Sequence, residues 1–200
     1  ILTGAVSPSG RLPVSLVRSA GQVPSYYGYR SGGGRSMAHG DYVDSPRTPL
    51  YPFGYGLSYS RFAYSDFQGP TAVDVFGVIV LSVVVENQGE RSAVDVAQLY
   101  LRDVVADVAR PRKALVGFAR VALAPGERKR VRFQLDASQA AYFNQAMEFV
   151  VEPGELLLFI GSSSQEIYGE LSIQLEGETR YVQQHQVIST RVTVDPVASD

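Results

Sequence analysis

The sequence predicts a mainly β fold, a two-sheet sandwich preceded by a long irregular segment. Three observations carry this. From Phe62 to Leu175 apolar residues recur in short β-branched or alternating runs, each closed by Gly, Pro, Asn or Asp. Residues 1–60 sustain neither a helical nor a strand period. Composition breaks at the same point: residues 1–60 hold ten of the 19 glycines, six of the 11 prolines and seven of the 12 tyrosines, with no Lys and no Glu. Their net charge is +3, against −5 for residues 61–200.

In the first segment Val14–Val17 can form one short strand. The rest is turn chemistry, as in Ser7-Pro8-Ser9-Gly10 and Ser31-Gly32-Gly33-Gly34. So long a structureless run is uncommon in a self-sufficient domain, and a solvated linker would not carry so many aromatics. The expectation is that these rings pack against a surface the chain does not contain.

The strands follow in order. Val75–Glu86 is β-branched and ends at the turn Asn87-Gln88-Gly89-Glu90. Ala93–Arg102 alternates, with Val94, Val96, Gln98 and Tyr100 on one face and Ala93, Asp95, Ala97, Leu99 and Leu101 on the other. Leu115–Leu123 leads to the turn Ala124-Pro125-Gly126-Glu127. Arg128–Leu135 sets Val131, Phe133 and Leu135 inward and Arg128, Arg130 and Arg132 outward, as in a half-buried antiparallel strand. Glu148–Val151 and Glu155–Ile160 flank Glu152-Pro153-Gly154, and Leu171, Ile173 and Leu175 end the series. About seven such strands fit a sandwich of the immunoglobulin or fibronectin type III kind. With no Cys pair and no Trp, an antibody-type domain is disfavoured. Tyr181–Val194 can add one extended strand, on the sandwich or against an absent domain.

Composition removes many chemistries. With 200 residues, 45% of them hydrophobic and 19% charged, the chain can bury a core. A net charge of −2 without a Lys/Arg run disfavours nucleic acid. No apolar stretch approaches the roughly 18 residues of a membrane helix. Zero cysteines exclude disulfides, thiolate nucleophiles and Cys-ligated metals, and two histidines exclude a His-rich metal site. The start, Ile1-Leu2-Thr3-Gly4, lacks an initiating Met and reads as a cut or a gene-model break, so the absence of a signal peptide is uninformative.

Few residues suggest chemistry. His39, Asp41 and Asp44 put an imidazole and two carboxylates in one loop, as an acid/base or metal pair would need. Nothing nearby fixes their geometry, which favours turn caps and a solvated imidazole. Gly32-Gly33-Gly34-Arg35 lacks the strand, helix and Lys-Ser/Thr of a phosphate loop. Ser162-Ser163-Ser164 lacks the helix and His of a nucleophile elbow, and reads as a strand-end loop. Arg110-Pro111-Arg112-Lys113 reads as a solvated or interface loop. Tyr100, Phe118, Tyr142 and Phe143 could stack on sugar rings, but core packing is the expectation.

Pro49-Leu50-Tyr51-Pro52-Phe53-Gly54-Tyr55-Gly56-Leu57-Ser58-Tyr59-Ser60 resembles the signature that ends the α/β domain of glycoside hydrolase family 3. Ser7-Pro8-Ser9-Gly10-Arg11-Leu12-Pro13 resembles the same family's Pro-Ser-Gly-Arg-Leu-Pro segment. Arg110-Pro111, Leu115, Gly117-Phe118, Leu123-Ala124-Pro125-Gly126-Glu127, Val151-Glu152-Pro153-Gly154 and Ile160-Gly161-Ser162-Ser163 resemble its fibronectin type III-like module. Order and spacing agree over about residues 4–176, and the wording is closest to β-xylosidase and β-glucosidase-like members. After Gly34-Arg35 the family often has Thr-Tyr-Arg, where this chain has Ser36-Met37-Ala38-His39. Residues 177–200 lie beyond the family pattern.

The resemblance implies residues 1–60 as the tail of an α/β domain plus linker and 61–176 as a fibronectin type III-like domain; residues 177–200, outside it, are expected to be an extension that can add one further strand. It implies a β-glycosidase parent cleaving β-xylosides or β-glucosides, in a secreted, periplasmic or lumenal setting. The family's nucleophilic Asp lies on an N-terminal barrel, and its acid/base Glu lies in the α/β domain upstream of this segment. No position here matches either motif. The expectation is therefore a chain with no catalytic, cofactor-binding or metal residues and no cofactor. Its partners would be the missing barrel and α/β domains, with glycoside reached only through them. The competing expectation is a carbohydrate- or partner-binding sandwich.

Overall fold

A computed structural model of the chain describes residues 1–30, 46–183 and 189–197. Twelve strands follow in order: β1 (Phe62–Gln68), β2 (Ala72–Asp74), β3 (Val78–Asn87), β4 (Ala93–Asp103), β5 (Ala114–Leu123), β6 (Arg128–Asp136), β7 (Tyr142–Phe143), β8 (Phe149–Val151), β9 (Gly154–Gly161), β10 (Ile167–Glu176), β11 (Arg180–Tyr181) and β12 (Arg191–Pro196). They make a four-stranded sheet β1-β3-β6-β12, a five-stranded sheet β2-β10-β9-β4-β5 and a small sheet β11-β8-β7. All pairings are antiparallel except β2 with β10.

The two larger sheets face each other because alternation on each supplies one apolar face. Ile79, Leu81, Val83 and Val85 of β3 and Val131, Phe133 and Leu135 of β6 are fully buried against Ala97 and Leu99 of β4, Leu158 and Ile160 of β9 and Ile173 of β10. Truncating a ring such as Phe133 in this core costs about 3–5 kcal/mol. The arginines of β6 face outward as expected, where Arg130 meets Asp66 at 2.7 Å and Arg132 pairs with Asp195 of β12. Residues 191–196 thus extend the four-stranded sheet beside β6.

The turns have identifiable chemistry. Asn87 is fully buried. Its Oδ1 accepts from the Gly89 N–H at 3.0 Å and its Nδ2 donates to the Arg91 carbonyl at 2.8 Å, closing the turn into β4. Gly126, at φ +71°, makes the turn between β5 and β6, where Glu127 accepts from the Ala124 N–H at 2.7 Å.

The N-terminal segment is irregular, as expected, but two stretches run antiparallel within it. Leu12 N–H donates to the Tyr55 carbonyl and Gly54 N–H to the Leu12 carbonyl, both at 2.8 Å. Leu16 forms an isolated bridge with Tyr51, so the short strand expected at Val14–Val17 is reduced to one pairing. Gln22, almost fully buried, ties the next turn by accepting from the Arg18 N–H and donating to the Pro46 carbonyl, both at 2.6 Å.

The expectation that the tail's rings pack only on an absent surface needs correction. Tyr27 stacks on Phe53 (centroids 4.0 Å apart, 12° between planes) and meets Tyr100 of β4 edge-on at 6.0 Å. The outer face of the five-stranded sheet is part of their surface, so β4 is buried on both faces. Tyr26, Leu57 and Leu2 remain exposed.

Candidate functional site

The described residues converge where the tail docks on β4, β9 and the loops beyond them. The centre is Gln98, 3% exposed. Its Nε2 donates to the carbonyl of Gly54 at 3.0 Å and to that of Ser162, and its Oε1 accepts from the Tyr100 hydroxyl at 2.6 Å. Every polar atom of the amide side chain is thereby engaged, as burial demands. Burial, then the neighbouring Tyr27, pushes the Tyr100 hydroxyl well above the ordinary phenol value, so it stays a donor.

Gly54 makes this approach possible. It sits at φ +80°, and a Cβ there would lie 2.1 Å from Gln98 Oε1. Beside it the Phe53 carbonyl accepts from the Ser164 N–H at 3.0 Å. Lys113 Nζ donates to the Ser164 carbonyl at 3.0 Å and lies 5.0 Å from the Phe159 ring centre. Burial pulls the Lys113 amine below its usual range, against the opposing pull of Glu170.

A second anchor lies at the end of β4. Arg11 pairs with Asp95, whose side chain is 2% exposed, and the Tyr64 hydroxyl donates to the other Asp95 oxygen at 2.6 Å. Tyr64 stacks on Tyr168 at 4.5 Å. Burial, followed by Asp95, drives the Tyr64 hydroxyl well above its ordinary value. A third anchor runs along the loop before β5. Arg30 bridges Pro111, the Arg112 N–H donates to the Tyr29 carbonyl at 3.1 Å, and the Leu115 N–H donates to the Tyr27 hydroxyl at 3.1 Å.

Several expected features land in this dock. Arg110-Pro111-Arg112-Lys113 is an interface loop within the chain: Arg112 and Lys113 grip the tail and the serine loop, while Arg110 lies over the Tyr142 ring at 4.6 Å. Ser162, Ser163 and Ser164 are buried and follow β9 as a strand-end loop. Ser162 donates to Glu166 at 2.8 Å and lies 3.1 Å from the Tyr168 hydroxyl. Tyr100 and Tyr142 are buried, whereas Phe118 (60%) and Phe143 (47%) are exposed. The expected core packing fails for these two: Phe118 stands on the edge strand β5, and Phe143 on the edge strand β7 meets the Phe149 ring at 4.9 Å yet stays exposed.

His39, Asp41, Asp44 and Gly32-Gly33-Gly34-Arg35 lie outside the described residues. Among the described residues no three His, Cys, Asp or Glu side chains are grouped as a metal ion would need, and no helix is long and apolar enough to cross a membrane. The parts of Arg11, Asp95 and Gln98 were missed by sequence reasoning. Their signal was a buried acid and an amide inside an otherwise apolar strand, each needing a partner.

Residues 1–59 match the family model described as the glycosyl hydrolase family 3 C-terminal domain, and residues 95–164 match the fibronectin type III-like domain. The chain belongs to glycosyl hydrolase family 3, as a C-terminal part. It is 42% identical over 172 residues to a periplasmic beta-glucosidase of Salmonella typhimurium, covering 82% of this chain and 22% of the relative. It is 41% identical over 182 residues to a putative beta-xylosidase of Formosa agariphila, covering 88% of this chain and 23% of the relative. A crystal structure of the Listeria innocua beta-glucosidase in complex with glucose superposes with a TM-score of 0.82 at 35% identity, over 88% of this chain and 25% of that one. The family 3 chain therefore spans about a quarter of the length of the relatives it matches. Its fold is the mainly β sandwich with an irregular leading segment that the sequence implied.

Proposed function

We propose that this chain is the non-catalytic structural clamp of a β-glycosidase. The whole protein hydrolyses O-glycosyl bonds in β-glucosides or β-xylosides, as the names of its relatives suggest. Residues 1–60 are then the closing tail of the α/β domain and its linker, 61–176 the fibronectin type III-like domain and 177–200 an extension. Hydrolysis with retention needs two carboxylates about 5 Å apart across one glycosidic bond. Both belong to the part of the protein that precedes this chain, which holds no catalytic, cofactor-binding or metal residue of its own. The barrel and α/β domains are its partners, and substrate is met only through them.

The observation that carries this reading is the three-way hydrogen bonding of Gln98 to Gly54, Ser162 and Tyr100. It locks the tail to the sandwich in one register, and the exposed Leu2, Tyr26 and Leu57 then face the α/β domain. The competing binding-module reading has Phe118 and Phe143 as its exposed rings. The Phe143 ring is tilted 40° to Phe149, which is no flat platform for a sugar.

The test is hydrolysis of a panel of aryl β-glycosides by the full-length protein, by this chain alone and by this chain mixed with the preceding portion. Activity in the full-length protein and the mixture, and none in the chain alone, is expected. Turnover by the chain alone would overturn the proposal and direct attention to Asp41 and Asp44.

A further inference from the structure

Strand β12 closes one edge of the four-stranded sheet, and little burial holds it there. None of its six residues is buried; Val192 packs partly against the core and Val194 is 37% exposed. Strand β6 beside it differs, with Val131, Phe133 and Leu135 fully buried. Val192 stands opposite Phe133 and Val194 opposite Val131, in an antiparallel register that runs from Arg191 at Gln134 to Pro196 at Lys129. Arg132 pairs with Asp195 at the surface. The Thr190 hydroxyl donates to the Val116 carbonyl, and the Val197 N–H donates to the Arg128 carbonyl at 3.1 Å. Among the described residues no further strand pairs outside β12.

A strand held by backbone pairing and little burial opens at a lower free energy than the core beside it. Once it opens, β6 presents a row of unpaired N–H and C=O groups, the template that a sheet edge offers to another chain. Seven positions, 183–189, join Val182, which packs in the core, to Thr190. Fully extended, that length spans about 25 Å, so β12 can leave its own sheet while Val182 stays in place.

We infer that the β6 edge is an interaction surface for a second copy of this chain, two copies joining by reciprocal exchange of residues 191–196. The second copy is the occupant because its own β12 reproduces every contact that holds the strand in place. The valines beside Phe133 and Val131, the ion pair to Arg132 and the Thr190 hydroxyl on Val116 are all met by the same residues, so exchange sacrifices no native contact. An unrelated extended peptide supplies the backbone pairing without these side-chain contacts.

The test uses the full-length protein carrying Gln134→Cys together with Arg191→Cys. The two positions are exposed antiparallel partners, so their Cα atoms lie within disulfide reach, and the bond formed on oxidation records which copy supplied β12. The protein is held in mild denaturant at low and at high concentration, returned to buffer, oxidised and resolved on a non-reducing gel. Cross-links within single chains are expected at low concentration and a covalent dimer at high concentration, absent from either single-cysteine variant. A synthetic peptide of residues 189–197, equimolar with the protein, competes for the open edge and lowers the dimer yield by about half. The same peptide with Val192→Asp and Val194→Asp leaves the yield unchanged. Turnover of aryl β-glycosides reports that the variant is folded; where the first pair lowers it, Arg132→Cys with Thr193→Cys, the next partners on the same face, repeats the test. Single-chain cross-links at every concentration, an equal dimer yield in the single-cysteine variants, or a dimer indifferent to the wild-type peptide overturns the inference. Because turnover is read separately, its failure leaves the clamp reading standing.

Discussion

Gly54 and Gln98 touch so closely that the only side chain the contact admits is a hydrogen atom. The amide of Gln98 donates to the Gly54 carbonyl at 3.0 Å, and the backbone there turns at φ +80°. The glycine of the Pro-Phe-Gly-Tyr-Gly-Leu run is thus required twice, for its conformation and for its missing Cβ.

Gly54→Ala forces both a left-handed alanine and an overlap with Gln98. The two effects together destabilise the docked tail by about 2–4 kcal/mol. The melting temperature of the full-length protein falls measurably. Gly10→Ala, where an added Cβ has nothing within 4 Å, leaves it within about 0.5 kcal/mol of wild type.

Arg11→Ala strands the Asp95 carboxylate in a buried site, with only the Tyr64 hydroxyl left to hold it. Removing one partner of a buried pair costs about 3–5 kcal/mol. Replacing both, as Arg11→Met with Asp95→Leu, recovers most of that loss. A double-mutant cycle on chemical denaturation measures the difference.

These anchors explain what was legible beforehand. Strand β6 could be read residue by residue because Val131, Phe133 and Leu135 alternate with arginines, and one periodicity settles both faces. Strand β4 was legible as an alternating strand over Ala93–Arg102, but the burial of its outer face was not. Its two faces are both buried, and the cover on the outer one comes from Phe53 and Gly54, more than forty positions earlier in the chain. Alternation reports a solvated face, whereas contact with a distant irregular segment leaves no period. The same blindness assigned the tail's aromatics wholly to an absent surface, although Tyr27 and Phe53 find Tyr100 within the chain. The short strands β2, β7 and β11 hold two or three residues each, too few for any pattern.

Tyr100→Phe removes the donor to Gln98 Oε1 and leaves that oxygen buried without a partner. The cost is about 1–2 kcal/mol. Tyr26→Phe, at an exposed ring, is neutral by comparison. Thermal melts of the two variants separate the effects.

Asp136 makes stability depend on acid. Burial alone would raise its carboxyl, but hydrogen bonds from Ser138 and the Arg180 guanidinium outweigh this and hold it below its usual value. A carboxyl depressed in the folded state contributes stability that is fully present above the unfolded value. That contribution is lost as pH falls through the folded value. Between about pH 5 and pH 2 the wild type therefore loses more stability than Asp136→Asn, and melts across that range show the gap closing at the acid end.

The most direct test of the clamp is truncation of the full-length protein after residue 60, with aryl β-glycoside turnover and melting temperature both measured against the intact chain. Loss of the sandwich leaves Phe53, Gly54 and Arg11 without Tyr100, Gln98 and Asp95, so both activity and melting temperature fall together. Unchanged turnover and an unchanged melting temperature in the truncated protein would contradict the structural role assigned to this chain.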